Sequence, residues 1–327
     1  MPATLNHKLC IAPMMGYTDR HFRYLLRLIS HNVMLYTEML STGALIHGNA
    51  AKYLDFDPLE HPLAIQLGGN VPAELGHCAA LVQNAGYDEI NLNVGCPSGR
   101  VKNAGFGACL MAHPGLVADC IAAMEENCRL PVTVKLRTGI DDLDSYDYLA
   151  EFVDQVAAAG CRTFIIHARK AWLQGLSPSQ NRNIPPLQYE RVYRLKQDFP
   201  ALEIIINGGF NARDSILEQY RHVDGVMVGR MVRHDPFQLA RLDADLFGIS
   251  TGDKSRTAIL RQFMRYMERE IAGGTPLSRM ARHLLGLFQG MAGARAYRRF
   301  LSENLHRTGS GVQLIVDAMQ LVEYPVN

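Results

Sequence analysis

The 327-residue sequence predicts an α/β fold: a (β/α)8 TIM barrel followed by an all-helical domain. Three observations predict it. Eight short apolar, β-branched runs recur, each bounded by glycine or proline, as buried parallel strands are. Amphipathic stretches such as PAELGHCAALVQNAG (72–86) and YDYLAEFVDQVAAAG (146–160) lie between them and end in glycine, a common helix stop. After Asp235-Pro236 the runs cease and only helical pattern remains.

In chain order the strands are KLCIAPMM (8–15), VMLYTEM (33–39), PLAIQLGG (62–69), EINLNVG (89–95), PVTVKLRTG (131–139), CRTFIIHAR (161–169), LEIIINGG (202–209) and DGVMVGR (224–230). Eight strand–helix units in this span match a barrel in count and length. A doubly wound sheet is the alternative, but the open fold rarely needs eight such regular units. The later helices are expected at 236–247, 256–272, 277–291, 294–306 and 310–322, with Thr275-Pro276 as a start signal. The expected domains are therefore 1–239 and 240–327. Within the second, Leu260, Phe263, Met264, Met267 and Ile271 form one helical stripe, and Arg261, Arg265 and Arg269 another.

Hydrophobic residues make up 48% and charged residues 20% of the chain, enough to bury a sizeable core. The net charge of +1 says nothing about partners, but its distribution does. Residues 256–307 hold ten arginines, no lysine and three acids, whereas residues 1–255 sum to −4. Such a basic segment points to an anionic partner. The seven cysteines show no zinc-like spacing, so no metal is expected. No basic-then-apolar leader precedes Leu9, and no window reaches ~18 apolar residues. The sequence reads as a protein of the reducing cytoplasm with no membrane partner. Its oligomeric state is not legible; a monomer is the expectation.

Barrel enzymes carry their chemistry at the C-terminal ends of the strands. There the sequence places Pro13-Met14-Met15, Glu38, Gln66, Asn91 with Asn93 and Cys96, Lys135 with Arg137, His167 with Arg169, Asn207-Gly208-Gly209, and Gly229-Arg230. Polar groups gathered at one end of so many strands exceed what packing requires. Gly208-Gly209 and Gly229-Arg230 follow the last two strands, the usual phosphate site of barrels. Lys135 and His167 point into the mouth, where a buried lysine needs an anionic or electron-rich partner. A core histidine satisfied by its neighbours is the competing reading of His167. Cys96, before a proline, is by itself more often a packing residue.

APMMGYTD (12–19), TEM (37–39), QLGG (66–69), NLNVGCPSGRV (91–101), VKLRTG (134–139), IHARKAWLQGLSPSQNR (166–182), INGGF (206–210) and VGRM (228–231) resemble the tRNA-dihydrouridine synthases. AWLQGLSPSQNRNIPPL (171–187) resembles their A-type subfamily in particular. The resemblance implies a flavin-binding (β/α)8 barrel with a C-terminal helical domain that binds tRNA. FMN would lie over the barrel mouth against the Pro13-Met14-Met15 backbone. Gln66 and Lys135 would hydrogen-bond its ring system, with His167 and Asn207 beside them. Gly208-Gly209 and Gly229-Arg230 would hold its phosphate. NADPH would reduce the flavin, and no local signature excludes NADH.

The implied reaction reduces a tRNA uridine to 5,6-dihydrouridine, at D-loop positions 20 and 20a by the A-type likeness. A hydride would go from the flavin to C6 and a proton from Cys96 to C5. A free thiol ionises near ~8.5, so it can serve as an acid at neutral pH. Asn93 would contact the base or ribose. Ser179, Arg182, Arg295 and Arg298 would contact the tRNA. Gly99 departs from the polar residue some relatives carry there, which bears on loop flexibility. The loop 97–113, with Gly99, Gly105 and Gly107, could close over the site or be static. Two other readings stand beside this one: a flavin enzyme acting on a free pyrimidine, like the dihydroorotate dehydrogenases, and an RNA-binding protein with a vestigial barrel. The basic helical segment argues against the first.

Overall fold

In the computed structural model the structure describes residues 5–249, 255–306 and 311–322. In chain order the first half runs β1 (Leu9–Ile11), α1 (Arg20–Ile29), β2 (Met34–Ser41), α2 (Thr42–His47), α3 (Ala50–Tyr53), β3 (Leu63–Gly68), α4 (Pro72–Ala85), β4 (Glu89–Asn93), α5 (Gly99–Asn103), α6 (Pro114–Asn127) and β5 (Val132–Arg137). There follow α7 (Tyr146–Ala158), β6 (Thr163–His167), α8 (Tyr189–Asp198), β7 (Glu203–Asn207), α9 (Arg213–Leu217) and β8 (Gly225–Val228). The remainder is α10 (Arg230–His234), α11 (Gln238–Phe247), α12 (Arg256–Ala272), α13 (Leu277–Ala281), α14 (Ala294–Asn304) and α15 (Gln313–Met319).

The eight strands form one closed parallel barrel in chain order, with β8 returning to β1. Seven strands fall within the expected apolar runs, and β2 overruns its run (33–39) by two residues, to Ser41. β3, β4 and β8 are buried along their whole length, as strands packed on both faces must be. Cys10, Met34, Tyr36, Ala64, Ile165, Ile205 and Met227 pack together as one apolar cluster. The flanking helices start on local signals. Ser145 caps α7 by accepting from the Tyr148 N–H, and α4 has proline in its first turn and stops at Gly86, whose φ of 90° is left-handed.

Contacts divide the chain into two compact units. One comprises the residues up to Met15 with Val33–Val228; the other comprises Gly16–Asn32 and the chain from Gly229 onward. A division by contacts thus differs from one drawn at 239/240, where the alternating pattern stops: α1 and α10 go with the helical unit. The reason for α1 is visible in its contacts. Tyr24 stacks on Tyr266 of α12 at 3.9 Å, and His21 Nδ1 lies 2.7 Å from the Tyr266 hydroxyl. Arg20 pairs with Glu270, and Asp19, the N-cap of α1, accepts from Arg282 at 2.6 Å.

The helical expectations hold for α11, α12, α14 and α15, with ends moved by a few residues. The expected helix over 277–291 does not run through. It is α13, then a 3-10 turn at Arg282–Leu284, then turns. In those turns, at Gly286, a Cβ would lie 2.3 Å from the His234 carbonyl oxygen, so the close approach there needs glycine. On α12 the stripe of Leu260, Phe263 and Met267 is buried together with Tyr266, while Arg261, Arg265 and Arg269 are exposed.

Candidate active site

Barrel register sets the predicted residues side by side at the C-terminal end. Asn93 pairs with Lys135, Arg137 with His167, and His167 with Asn207. Gln66 pairs with Asn91 on the neighbouring strands. Alternation along β4 and β5 puts Glu89, Asn91 and Asn93, and Thr133, Lys135 and Arg137, on one side of the barrel wall.

Cys96 stands three residues beyond β4, half-buried. Its turn is held by Asn93, whose Oδ1 accepts the N–H groups of Gly95 at 3.1 Å and Cys96 at 3.0 Å. The Asn93 Nδ2 donates to Gln66 Oε1 at 2.8 Å. Asn93 therefore positions the thiol's turn, a role the sequence did not suggest. The loop beyond returns to the same point: the Ala108 N–H donates to the Cys96 carbonyl at 2.9 Å. Ser98 caps the short α5, and Lys102 donates to the Leu173 carbonyl at 3.3 Å.

Arg137, which the sequence places at the end of β5, has a part in the site that the sequence does not show. In the structure it is buried and ties two loops together. Its Nε donates to the Gly95 carbonyl at 3.0 Å, and its Nη1 to the carbonyls of Asn181 at 3.0 Å and Lys170 at 3.3 Å. Burial, opposed by the neighbouring Cys96, pulls its pKa down to about 10. The K-x-R spacing of β5 was the available signal, since residues two apart share a face.

Lys135 donates to Asn207 Oδ1 at 3.1 Å, and Asn207 Nδ2 donates to the Met227 carbonyl at 2.7 Å. Burial first, and then the charge of Arg137, bring the Lys135 pKa down to about 7. Among the described residues these hydrogen bonds go to amide and carbonyl oxygens rather than to carboxylates. Two desolvated cations side by side suit an electron-rich or anionic group.

Gly208 and Gly209 have φ of 119° and 80°, which suit glycine alone. A Cβ on Gly208 would lie 2.6 Å from His167 Cδ2, and one on Gly209 would lie 2.7 Å from Leu187 Cδ1. The backbone therefore comes close to the half-buried His167 ring, and the Tyr189 hydroxyl anchors the turn through the Gly208 carbonyl at 2.7 Å. Pro13 and Met14 are half-buried and Met15 is 66% exposed beyond β1. Gly229 and Arg230 open the helical unit as the N-cap and first residue of α10.

The long connection from β6 to α8 is folded around the buried Asn181. Its Oδ1 accepts the Trp172 N–H at 2.8 Å and its Nδ2 donates to the Trp172 carbonyl at 2.9 Å. Lys170 lies 4.1 Å from the Trp172 ring centroid and pairs with Asp144 at 2.9 Å. Ser179 and Arg182 are exposed on this loop. In the helical unit α14 buries Ala294, Tyr297 and Leu301 and exposes Arg295, Arg298 and Arg299. Cys10, Cys78, Cys120, Cys128 and Cys161 are buried, and burial raises the thiol pKa of Cys78 to about 11 and of Cys120 and Cys161 to about 12. They are packing residues. Among the described residues no cluster of His, Cys, Asp and Glu could hold a metal ion, and no helix is long and apolar enough to cross a membrane.

A family profile described as dihydrouridine synthase (Dus) matches residues 10–323. The chain is 53% identical over 319 residues to a tRNA-dihydrouridine(20/20a) synthase of Shewanella oneidensis, covering 98% of this chain and 95% of that protein. It is 52% identical to the protein of that name from Vibrio cholerae, covering 98% of each, and 54% identical to that from Escherichia coli, covering 95% of this chain and 90% of the relative. With a barrel that sets a thiol, two desolvated cations and a glycine turn at one end, the chain belongs to the dihydrouridine synthase family, flavin-dependent oxidoreductases that reduce uridine.

Proposed function

We propose that this protein reduces uridines of tRNA to 5,6-dihydrouridine, at positions 20 and 20a as the names of its relatives specify, with FMN bound and NADPH as reductant. The observation that carries this is the placement of Cys96 on a turn held by Asn93, beside the desolvated pair Lys135 and Arg137. Those two cations suit an anionic ring system, and the family resemblance assigns the glycine turn to its phosphate. Pro13, Met14, Met15, Gln66, Lys135, His167, Asn207, Gly208 and Gly209 would hold FMN, joined by Gly229 and Arg230 as the family resemblance assigns them. When bound, FMN supplies the hydride for C6 of the base.

Cys96 supplies the proton for C5, and the positive charge of Lys135 and Arg137 receives the thiolate that this leaves. Solvent then reprotonates the thiol. Asn93 and Arg137 fix the turn from both sides, one through the N–H groups and the other through the Gly95 carbonyl. The target uridine must be turned out of the tRNA fold to reach this point. Ser179 and Arg182, and on the helical unit Arg295 and Arg298, are exposed for contact with the RNA, arginine through phosphates and stacking.

The test is direct. The purified protein should carry an FMN spectrum that NADPH bleaches, and should then convert unmodified tRNA to a form containing dihydrouridine at 20 and 20a. A colourless protein, or one that reduces free uridine as fast as tRNA, contradicts the reading.

A further inference from the structure

A line of buried side chains runs up the inside of β3, β4 and β5 from the barrel floor to Cys96. Glu89, Thr133, Asn91, Gln66 and Asn93 are all buried. At the floor, Glu89 Oε1 accepts from the Tyr36 hydroxyl at 2.9 Å and the Thr133 hydroxyl at 2.7 Å, and His7 Nε2 is 2.5 Å from Oε2. Asn91 Nδ2 donates to Thr133 Oγ1 at 2.8 Å. Gln66 Nε2 donates to Asn91 Oδ1 at 2.8 Å, and Asn93 Nδ2 to Gln66 Oε1 at 2.8 Å. The last free acceptor, Asn93 Oδ1, takes the N–H groups of Gly95 and Cys96.

The chain has one direction. A carboxylate only accepts, so Thr133 spends its single hydrogen on Glu89. Its other acceptor in reach, the Ile90 carbonyl, is farther at 3.4 Å. Towards Asn91 the hydroxyl oxygen can then only accept, which turns the Asn91 amide with its nitrogen down and its oxygen up. That orientation sets Gln66, and Gln66 sets Asn93. Each amide could sit either way by shape; the carboxylate at the floor and the two donor-only N–H groups at the top require the same orientation, and Thr133 is the link that lets all three amides satisfy both ends. Four residues of strand, ~13 Å, separate Glu89 from Asn93.

We infer that Thr133, with Glu89 behind it, is a positioning residue for Cys96: it fixes from the barrel floor the amide orientation that leaves Asn93 Oδ1 as acceptor for the Gly95–Cys96 turn. This rests on the proposed role of Cys96. Replacing Thr133 by valine keeps the shape and removes the link. Asn91 Nδ2 then has no acceptor below it. If the amides reverse to satisfy it, Asn93 presents N–H to N–H at the turn.

The test uses the full-length flavin-loaded protein and the variants Thr133→Val, Thr133→Ser and Cys96→Ala. Three rates are measured: reduction of bound flavin by NADPH, its anaerobic reoxidation by unmodified tRNA, and alkylation of Cys96 by iodoacetamide, read by mass spectrometry of its peptide. Thr133→Val, whose amide chain passes through Gln66, should bind flavin more weakly but, loaded with FMN, keep the NADPH step. Its reoxidation by tRNA should fall on the order of tenfold with little change in KM, as for one lost positioning hydrogen bond. Its Cys96 alkylation rate should shift by about threefold or more. Thr133→Ser, which restores the hydroxyl, should recover both. A Thr133→Val protein matching the wild type in both rates overturns the inference. So does one that loses flavin, NADPH reduction and melting temperature together, or one that serine does not rescue. Full turnover by Cys96→Ala would instead overturn the role of Cys96, while the alkylation rates still report whether Thr133 sets the turn.

Discussion

Lys135 of β5 donates to the side-chain oxygen of Asn207 on β7 at 3.1 Å, reaching past β6 across the barrel mouth. That partner is neutral, so this bond holds the ammonium in place without neutralising its charge. Burial and Arg137 lower its pKa to about 7. An anionic ligand beside it should raise that value. Binding of FMN to the flavin-free protein should then take up a proton above pH ~7, and the affinity should weaken as pH rises from 7 towards 9. Isothermal titration at several pH values checks this. Lys135→Met should bind more weakly, by about tenfold, and lose the slope.

His7 sits on the barrel floor between Glu203 at 2.9 Å and Glu89 at 2.5 Å. Burial opposes its charge, but the hydrogen bonds and attraction of the two carboxylates outweigh this and raise its pKa to about 10. The folded-state pKa is raised, so its stabilisation is fully present below ~6.5 and lost as pH climbs to about 10. Lys135 acts with the opposite sign between pH ~7 and 10.5, since its folded pKa is depressed. The difference between wild type and His7→Gln isolates the histidine. In urea unfolding it should be about 3 kcal/mol near pH 6 and shrink towards pH 10.

Arg137 holds the carbonyls of Gly95, Lys170 and Asn181. Arg137→Met removes the donors and leaves those acceptors buried. A loss of about 2–3 kcal/mol is expected. The β6–α8 loop should also loosen, so limited trypsin digestion should cut at Arg169 or Arg182 sooner than in the wild type. An unchanged digestion pattern would show that the loop's other contacts, those of Asn181 and Lys170 among them, hold it without Arg137.

On α14 the exposed Arg295 and Arg298 should each add to phosphate attraction. The Arg295→Ala, Arg298→Ala double variant should bind tRNA more weakly, and the slope of log affinity against log salt should fall by about 1–2. FMN content should not change.

The barrel was legible because each strand is an apolar β-branched run closed by glycine or proline, and register then forces the strand ends into one ring. Lys135, His167 and Asn207 could be placed together on that basis alone. The floor network was not legible. The sequence places Asn91 and Asn93 at the mouth but says nothing of Glu89 below them, and the partners Tyr36, Thr133 and His7, remote in sequence, show why Glu89 tolerates burial. The turn-holding role of Asn93 is not legible in sequence, because it depends on where the Gly95 and Cys96 N–H groups point. Beyond α13 the chain passes at Gly286 close to the His234 carbonyl, a contact 52 residues apart in sequence that no local pattern records.

The central claim is that Cys96 delivers the proton to the base. Single-turnover mixing of prereduced Cys96→Ala protein with unmodified tRNA tests it most directly, with flavin reoxidation and dihydrouridine both followed. Wild-type flavin content, NADPH reduction and tRNA affinity are expected, with reoxidation by tRNA slowed by a factor of ~10² or more. Reoxidation and dihydrouridine formation at the wild-type rate would contradict it.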